Sequence, residues 1–457
     1  MIRSINPFNG KVLAEIQVHS GQKAENILEK GSGIYPSWKK ISFEERGRLF
    51  LNCSGLLKSR SAELSSLISM EMGKRIQESE AEISKCAWLC EYYARSAEGF
   101  LRDEKLPVNE GDAYIAYDPL GLILAIMPWN FPFWQVFRFA APTIIAGNTG
   151  LLKHASNVSQ CALAIEKLFI DSGFPSGVFQ TLLFPASQMG RIIEDDRVRA
   201  VTLTGSEDAG SRIAELAGRN LKKTVLELGG SDPFVILSDA DLEQASKTAV
   251  RSRMINCGQS CISAKRFIVE SSISERFLEN FINALSTLKP GDPLDPATGY
   301  GPLARPDLVD TLEQQVFTSI RKGASLTFGG GRPRGFSESF YPPAVLTDVK
   351  PGMPAFDEEL FGPVAAVTVA ANEEEAIELA NLSKFGLGAS IWSADPDRAA
   401  RMARRIESGT VFINEMVASH PAVPFGGIKK SGYGRELSYF GIREFMNIKS
   451  IWINRST

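Results

Sequence analysis

A chain of 457 residues is too long to fold around one hydrophobic core, so two or three domains are expected. Its 44% hydrophobic and 23% charged residues are ordinary for a globular protein, and a net charge of −3 with dispersed Lys and Arg argues against a nucleic-acid partner or a polybasic membrane patch. The N-terminus lacks the apolar core of a signal peptide, and the longest apolar run, residues 120–126, is far too short to span a bilayer. Six cysteines outside any metal-ligand pattern, with only three dispersed histidines, fit reduced thiols in the cytoplasm and predict no metal.

The first twenty residues read as a hairpin turning at Asn6-Pro7-Phe8-Asn9-Gly10. Helical patterns follow over residues 21–33, 42–60, 61–72 and 78–102, with apolar residues three and four apart, as in Leu49, Phe50, Cys53, Leu56 and Leu57. Cys86 and Cys90 sit four apart on the last of these and read as packing. Within residues 107–118 the alternating stretch Ala113-Tyr114-Ile115-Ala116-Tyr117 reads as a strand, and it predicts an arm reaching to another subunit. The alternating tail at residues 447–452 reads as a strand pairing with a partner subunit.

Beyond residue 120 strands and helices alternate. The strands are expected at 122–127, 149–153, 178–183, 200–203 and 224–227, with helices such as 158–172 and 206–219 between them. Near-continuous apolar strands alternating with helices specify a parallel, doubly wound sheet, which binds ligands at the carboxyl ends of its strands. Asn130 follows the first strand, Lys153 and Ser156 close the second, Gly205 and Ser206 follow the fourth, and Glu227 ends the fifth, so all converge on one sheet edge. A second α/β region over residues 231–427, with strands near 266–269, 365–369, 389–391 and 410–413, contains Cys261. The expected site therefore lies in a cleft between domains.

Asn256-Cys257-Gly258-Gln259-Ser260-Cys261 carries the nucleophile. A thiolate attacks a carbonyl carbon readily, and a polar, partly exposed turn lowers a thiol pKa toward neutrality. An isolated cysteine more often packs as a small hydrophobe, and Cys257 reads that way. No Gly-x-Gly-x-x-Gly fingerprint is present, since Gly329-Gly330-Gly331-Arg332-Pro333-Arg334 ends in arginine. Gly205-Ser206-Glu207-Asp208-Ala209-Gly210 instead marks a strand-to-helix turn, either an ordinary helix start or a phosphate site.

Pro128-Trp129-Asn130-Phe131-Pro132, Leu203-Thr204-Gly205-Ser206, Glu227-Leu228-Gly229-Gly230, Gly258-Gln259-Ser260-Cys261 and Glu359-Leu360-Phe361-Gly362-Pro363, in this order and spacing, resemble the aldehyde dehydrogenase superfamily. The resemblance runs from Asn6-Pro7 to Pro424-Phe425-Gly426-Gly427. It implies two doubly wound α/β domains with a β oligomerisation arm, in a homodimer or homotetramer. The dinucleotide-binding domain would take residues 1–105 and 120–229, the catalytic domain 230–430, and the arm 106–119 and 438–457. Cys261 would add to an aldehyde, with the Asn130 amide and the Cys261 N–H holding the oxyanion. After hydride loss, Glu227 would activate the water that hydrolyses the thioester. Lys153 and Glu359 would reach the ribose hydroxyls, Trp129 would lie beside the cofactor, Phe361 by the nicotinamide, and Gly205-Ser206 at the pyrophosphate.

Many NAD-using members of this superfamily carry a glutamate three residues after the lysine; here it is Ser156, with His154 where proline is usual. A serine can donate to a 2′-phosphate that a carboxylate would repel, with Lys153 and His154 nearby, so NADP is expected and NAD is the poorer cofactor. Arg138, alone in apolar residues 131–141, reads either as a domain-interface salt bridge or as a receptor for a substrate carboxylate. Succinate-semialdehyde dehydrogenases carry an arginine there, with Ser419 as a second contact. Lys153-His154-Ala155-Ser156-Asn157 and Gly432-Tyr433-Gly434-Arg435-Glu436-Leu437-Ser438 resemble their short bacterial, NADP-preferring branch, although Ile255 stands where some relatives have another arginine. The expected partner is thus a small aldehyde, with neither nucleic acid nor membrane. A broader aldehyde dehydrogenase with a structural Arg138, and a non-catalytic protein of the same fold, remain as alternatives.

Overall fold

The computed structural model describes residues 1–454. Strands Ile2–Ile5 and Val12–Ile16 pair antiparallel, and their turn closes where Gly10 N–H donates to the Asn6 carbonyl at 2.8 Å. Four helices follow at Gly21–Trp38, Phe43–Ser59, Ser61–Met72 and Ile76–Phe100. Ser20 and Ser42 cap the first two by accepting from Lys23 and Glu45 N–H. The first helix runs past Gly31 and Gly33, where an end was expected. A Cβ on Gly31 would sit 3.0 Å from Leu122 and 3.1 Å from Gln180, so that glycine serves close packing on the sheet. Trp38, at the helix end, is buried and donates to the Ile144 carbonyl at 3.1 Å.

The first sheet has six strands in the order Gly432–Tyr433, Lys223–Glu227, Val198–Thr204, Leu122–Met127, Thr149–His154 and Phe179–Thr181. The last five are parallel, as the apolar runs predict, and Gly432–Tyr433 joins antiparallel against Leu226 and Glu227. The second sheet has seven strands, ordered Ser325–Gly329, Ala344–Thr347, Val364–Ala370, Arg266–Glu270, Pro233–Ile236, Gly388–Trp392 and Thr410–Ile413. Only the pairing of Ser325–Gly329 with Ala344–Thr347 is antiparallel. Sequence patterning missed Pro233–Ile236, which is fully buried near the middle of the sheet. Four residues are too few to show a period, and proline occupies the one strand position that tolerates it, the first.

Strands Glu104–Leu106, Asp112–Pro119 and Met446–Ile453 form a third, antiparallel sheet. The tail strand, expected on a partner subunit, pairs over eight residues with Asp112–Pro119 of its own chain. Of the arm expected over 438–457, residues 438–443 form helix Ser438–Arg443, and residues 455–457 lie outside the described residues. Among the described residues, no helix is long and apolar enough to cross a membrane, and no cluster of His, Cys, Asp and Glu could hold a metal.

Candidate active site

Cys261 sits on a loop whose backbone is forced and then clamped. Beyond helix Leu242–Met254, Asn256, Cys257 and Gly258 are successively left-handed, with φ of 51°, 53° and +76°. A Cβ on Gly258 would collide with the Gly362 carbonyl, so only glycine fits there. Left-handed residues other than glycine cost about 1–2 kcal/mol each, and the surroundings hold them. Asn256 N–H donates to Glu78 Oε1 at 2.9 Å, and its side-chain amide donates to the carbonyls of Asn130 at 2.7 Å and Gln259 at 3.1 Å. Gln259 accepts from Ala304 N–H at 2.8 Å. The buried Lys265 ammonium donates to the carbonyls of Ser260 at 2.8 Å and Cys261 at 2.7 Å, and meets Glu359 at 3.3 Å. Gln259 and Ser260, read as loop formers, are therefore buried parts of this clamp.

The electrostatics differ from expectation. Cys261 Sγ lies 3.7 Å from Glu227 Oε2. Burial, followed by the Glu227 charge, pushes the thiol well above its ordinary value, so the turn does not lower it. Burial also lifts Glu227 to about 8, against the pull of Arg138. Asn130 is buried and donates through Nδ2 to the Gln259 carbonyl at 3.1 Å. An amide carries two N–H donors, so one is left for an oxyanion.

Cys261 lines two cavities. One is a cleft of about 930 Å³ whose walls include Trp129, Asn130, Gly205, Ser206, Glu359 and Phe361. Trp129 and Phe361 meet edge to face, 5.7 Å between ring centres. Ser206 caps the 13-residue helix Glu207–Arg219, whose first turn favours an anion. A Cβ on Gly229 would come within 2.5 Å of the Glu359 carboxylate, which Gly230 N–H holds at 3.2 Å. A groove with amide donors at one end and an aromatic pair at the other fits a dinucleotide.

The residues expected at the ribose lie beside this cleft. Ser156 is exposed and lines an adjoining hollow, with Arg305 lining both spaces. The Lys153 ammonium folds back onto the His154 carbonyl at 2.6 Å. His154 turns inward, contrary to its expected place near a 2′-phosphate. Its Nε2–H donates to Pro132 O at 2.9 Å, Nδ1 accepts from Ala155 N–H at 2.9 Å, and burial lowers its pKa to about 4. A neutral ring is thereby pinned beneath the Pro128–Pro132 turn.

The second cavity, about 840 Å³, is walled by helix Ile76–Phe100 through Glu78, Glu82 and Lys85, and by Trp134, Arg138, Ser419 and Phe425. Arg138 and Ser419 thus share a space with Cys261. The Arg138 guanidinium is only 2% exposed and already ion-paired, to Glu227 at 3.2 Å and to Glu436. The guanidinium is therefore held in ion pairs, as the salt-bridge reading expected, while it also lines the space beside Cys261 where the substrate-receptor reading put it. Sequence reasoning missed Glu436, Lys265 and Lys85. In the sequence Lys85 belongs to the polar face of a helix, and only the packing of residues 414–437 across that face shows it to be enclosed.

The aldehyde dehydrogenase family profile matches residues 1–451. The chain belongs to the aldehyde dehydrogenase family. This aldehyde dehydrogenase is 49% identical to a probable NADP(+) succinate-semialdehyde dehydrogenase of Synechocystis sp., with 99% of each chain covered. It is 48% identical to the succinate semialdehyde dehydrogenase NAD(P)+ Sad of Escherichia coli K12, covering 99% of this chain and 98% of that one. Among solved structures, the succinic semialdehyde dehydrogenase of Streptococcus pyogenes in complex with NADP+ superposes with a TM-score of 0.97 at 38% identity, with 100% of both chains covered.

Proposed function

We propose that this enzyme oxidises succinate semialdehyde to succinate with NADP, and more poorly with NAD, through a thioester on Cys261. The observation that carries the reading is that Cys261 stands where the two cavities meet, one suited to a dinucleotide and one to an aldehyde. The relatives that bear succinate-semialdehyde names cover the whole chain, which supports the substrate.

In this reading Glu227 Oε2 takes the proton from Cys261 Sγ, and the sulfur adds to the aldehyde carbon. The Asn130 amide and the Cys261 N–H receive the oxyanion, each donor contributing about 3–4 kcal/mol to lowering the barrier. The bound nicotinamide supplies the acceptor for the hydride that leaves this carbon. Glu227, returned to its carboxylate, takes a proton from the water that attacks the thioester, and Sγ departs. Arg138 acts here on Glu227, opposing the burial that raises its pKa. Trp129, Gly205, Ser206, Glu359 and Phe361 hold the cofactor from the cleft walls, Lys153 and Ser156 its ribose side, and Ser419 contacts the substrate.

We place the enzyme in the cytoplasm as a homodimer or homotetramer built through the three-stranded arm. The outer strand of that arm leaves Ile448 and Trp452 60% and 61% exposed, large apolar side chains suited to a second copy. The division into a dinucleotide-binding domain (1–105, 120–229) and a catalytic domain (230–430) belongs to the same proposal and follows the two sheets.

An aldehyde panel with both cofactors tests the reading. The highest kcat/KM is expected for succinate semialdehyde with NADP. Equal use of butanal would favour the broader specificity to which the paired Arg138 points, and no aldehyde-dependent nicotinamide reduction would remove the catalytic assignment.

A further inference from the structure

Lys265 is a fully buried cation directly behind the nucleophile. Its ammonium donates to the carbonyls of Ser260 at 2.8 Å, Cys261 at 2.7 Å and Ser263 at 3.2 Å, and lies 3.3 Å from Glu359 Oε1. An ammonium carries three N–H donors, so one of them is shared. The backbone of Lys265 is tied to the second sheet, its N–H donating to the Asp232 carbonyl at 3.1 Å. The Ser260 carbonyl belongs to the same peptide unit as the Cys261 N–H. That unit is planar and trans, so the N–H points away from the oxygen that Lys265 holds. Among the described residues no acceptor takes the Cys261 N–H, which leaves it for the oxyanion. The Ser260 oxygen also accepts from Ser263 N–H at 3.3 Å, the longer and uncharged of its two bonds.

We propose that Lys265 is a positioning residue for the oxyanion site: its ammonium, acting through the Ser260 carbonyl, aims the Cys261 N–H and strengthens it as a donor. Bonds to the Ser260 and Cys261 carbonyls fix the two peptide planes on either side of the Cys261 Cα, so Sγ and the N–H keep a set relation. A cation on the carbonyl oxygen also draws electron density across the peptide and leaves the N–H more positive, as in chains of hydrogen bonds that polarise one another. Burial keeps water and salt from screening that charge. Glu359 supplies the counter-charge without which a buried ammonium would be costly. A purely structural role needs only a donor of the right shape, whereas this role needs the positive charge.

The inference rests on Cys261 adding to an aldehyde, and it is indifferent to which aldehyde. Two rates at Cys261 test it, both with NADP present at saturation. One is kcat/KM for succinate semialdehyde, which uses the oxyanion site. The other is alkylation by iodoacetamide, in which Sγ displaces iodide and no oxyanion forms. Burial and the Glu227 charge raise the Cys261 pKa, and Lys265 is among the cations that lower it. That effect enters both rates and cancels in their ratio. Lys265→Met is expected to lower the ratio by about ten- to a hundredfold, less than the loss of an oxyanion donor outright. Lys265→Gln, a neutral donor, is expected to fall as well, and Lys265→Arg to recover most of the ratio. An unchanged ratio in Lys265→Met, or equal ratios in Lys265→Gln and Lys265→Arg, would overturn the assignment. Failure of all three variants to fold, read by thermal unfolding, would make Lys265 a structural prop and overturn it too. If the wild-type enzyme uses butanal instead, the same ratio is taken with butanal. A wild-type enzyme that is alkylated but reduces NADP with neither aldehyde would remove the thioester reading, and this proposal with it, before any variant is made.

Discussion

Cys261 and Glu227 face each other in an environment that favours neither charge. The thiol is raised by burial and by the carboxylate beside it, and the carboxyl is lifted to about 8 by burial. Glu227 accepts a proton only when ionised, so kcat/KM should be low below its pKa and rise as pH passes through about 8, since that parameter reports the free enzyme. Arg138 holds this pKa down, so Arg138→Leu should move the ascending limb to higher pH. A limb that stays in place would mean that Arg138 does not act on Glu227. At the ribose, Ser156→Glu should repel a 2′-phosphate and swing the ratio of kcat/KM for NADP and NAD toward NAD by about tenfold or more. If the parent prefers NAD, or the ratio does not move, Ser156 does not face the ribose. How far single residues were legible depended on whether their partners were local. Asn130, Glu227 and Cys261 stand out by motif. The inward turn of His154 and the pairing of Arg138 with Glu436 depend on side chains from distant segments, and no spacing announces them.

At the scale of elements, the nucleophile loop is the part most strained and most tied down. Gly258 has a φ of +76° and no room for a Cβ against the Gly362 carbonyl. Gly258→Ala should therefore destabilise the protein by at least about 2 kcal/mol and displace Cys261. Thermal unfolding together with thiol alkylation rates would show both effects. Wild-type stability and alkylation would mean that the loop tolerates another backbone path. Strands with long apolar runs, such as Leu122–Met127, were plain in the sequence. Pro233–Ile236 was not, because four buried residues show no period. The first helix was read too short because Gly31 serves close packing on Leu122 and Gln180 and does not end the helix.

At the scale of the molecule, two sheets are brought together by a chain that crosses twice between them. Residues 1–230 build most of the first sheet, residues 233–413 build the second, and strand Gly432–Tyr433 returns to the edge of the first. That return carries Ser419, Phe425 and Glu436 over the second cavity and closes it around Cys261. Strand order and this closure follow from long-range packing, which local pattern does not encode, whereas the alternation of strands and helices does declare the fold class. The central claim is a thioester on Cys261 that Glu227 resolves. Because Glu227 serves both steps, Glu227→Gln should form the thioester slowly and lose it more slowly still. Intact-mass spectrometry of that variant after prolonged mixing with succinate semialdehyde and NADP therefore tests the claim most directly. A covalent adduct with the mass of an added succinyl group is predicted in Glu227→Gln and none in Cys261→Ala, while full and rapid turnover by Glu227→Gln without an adduct would contradict it.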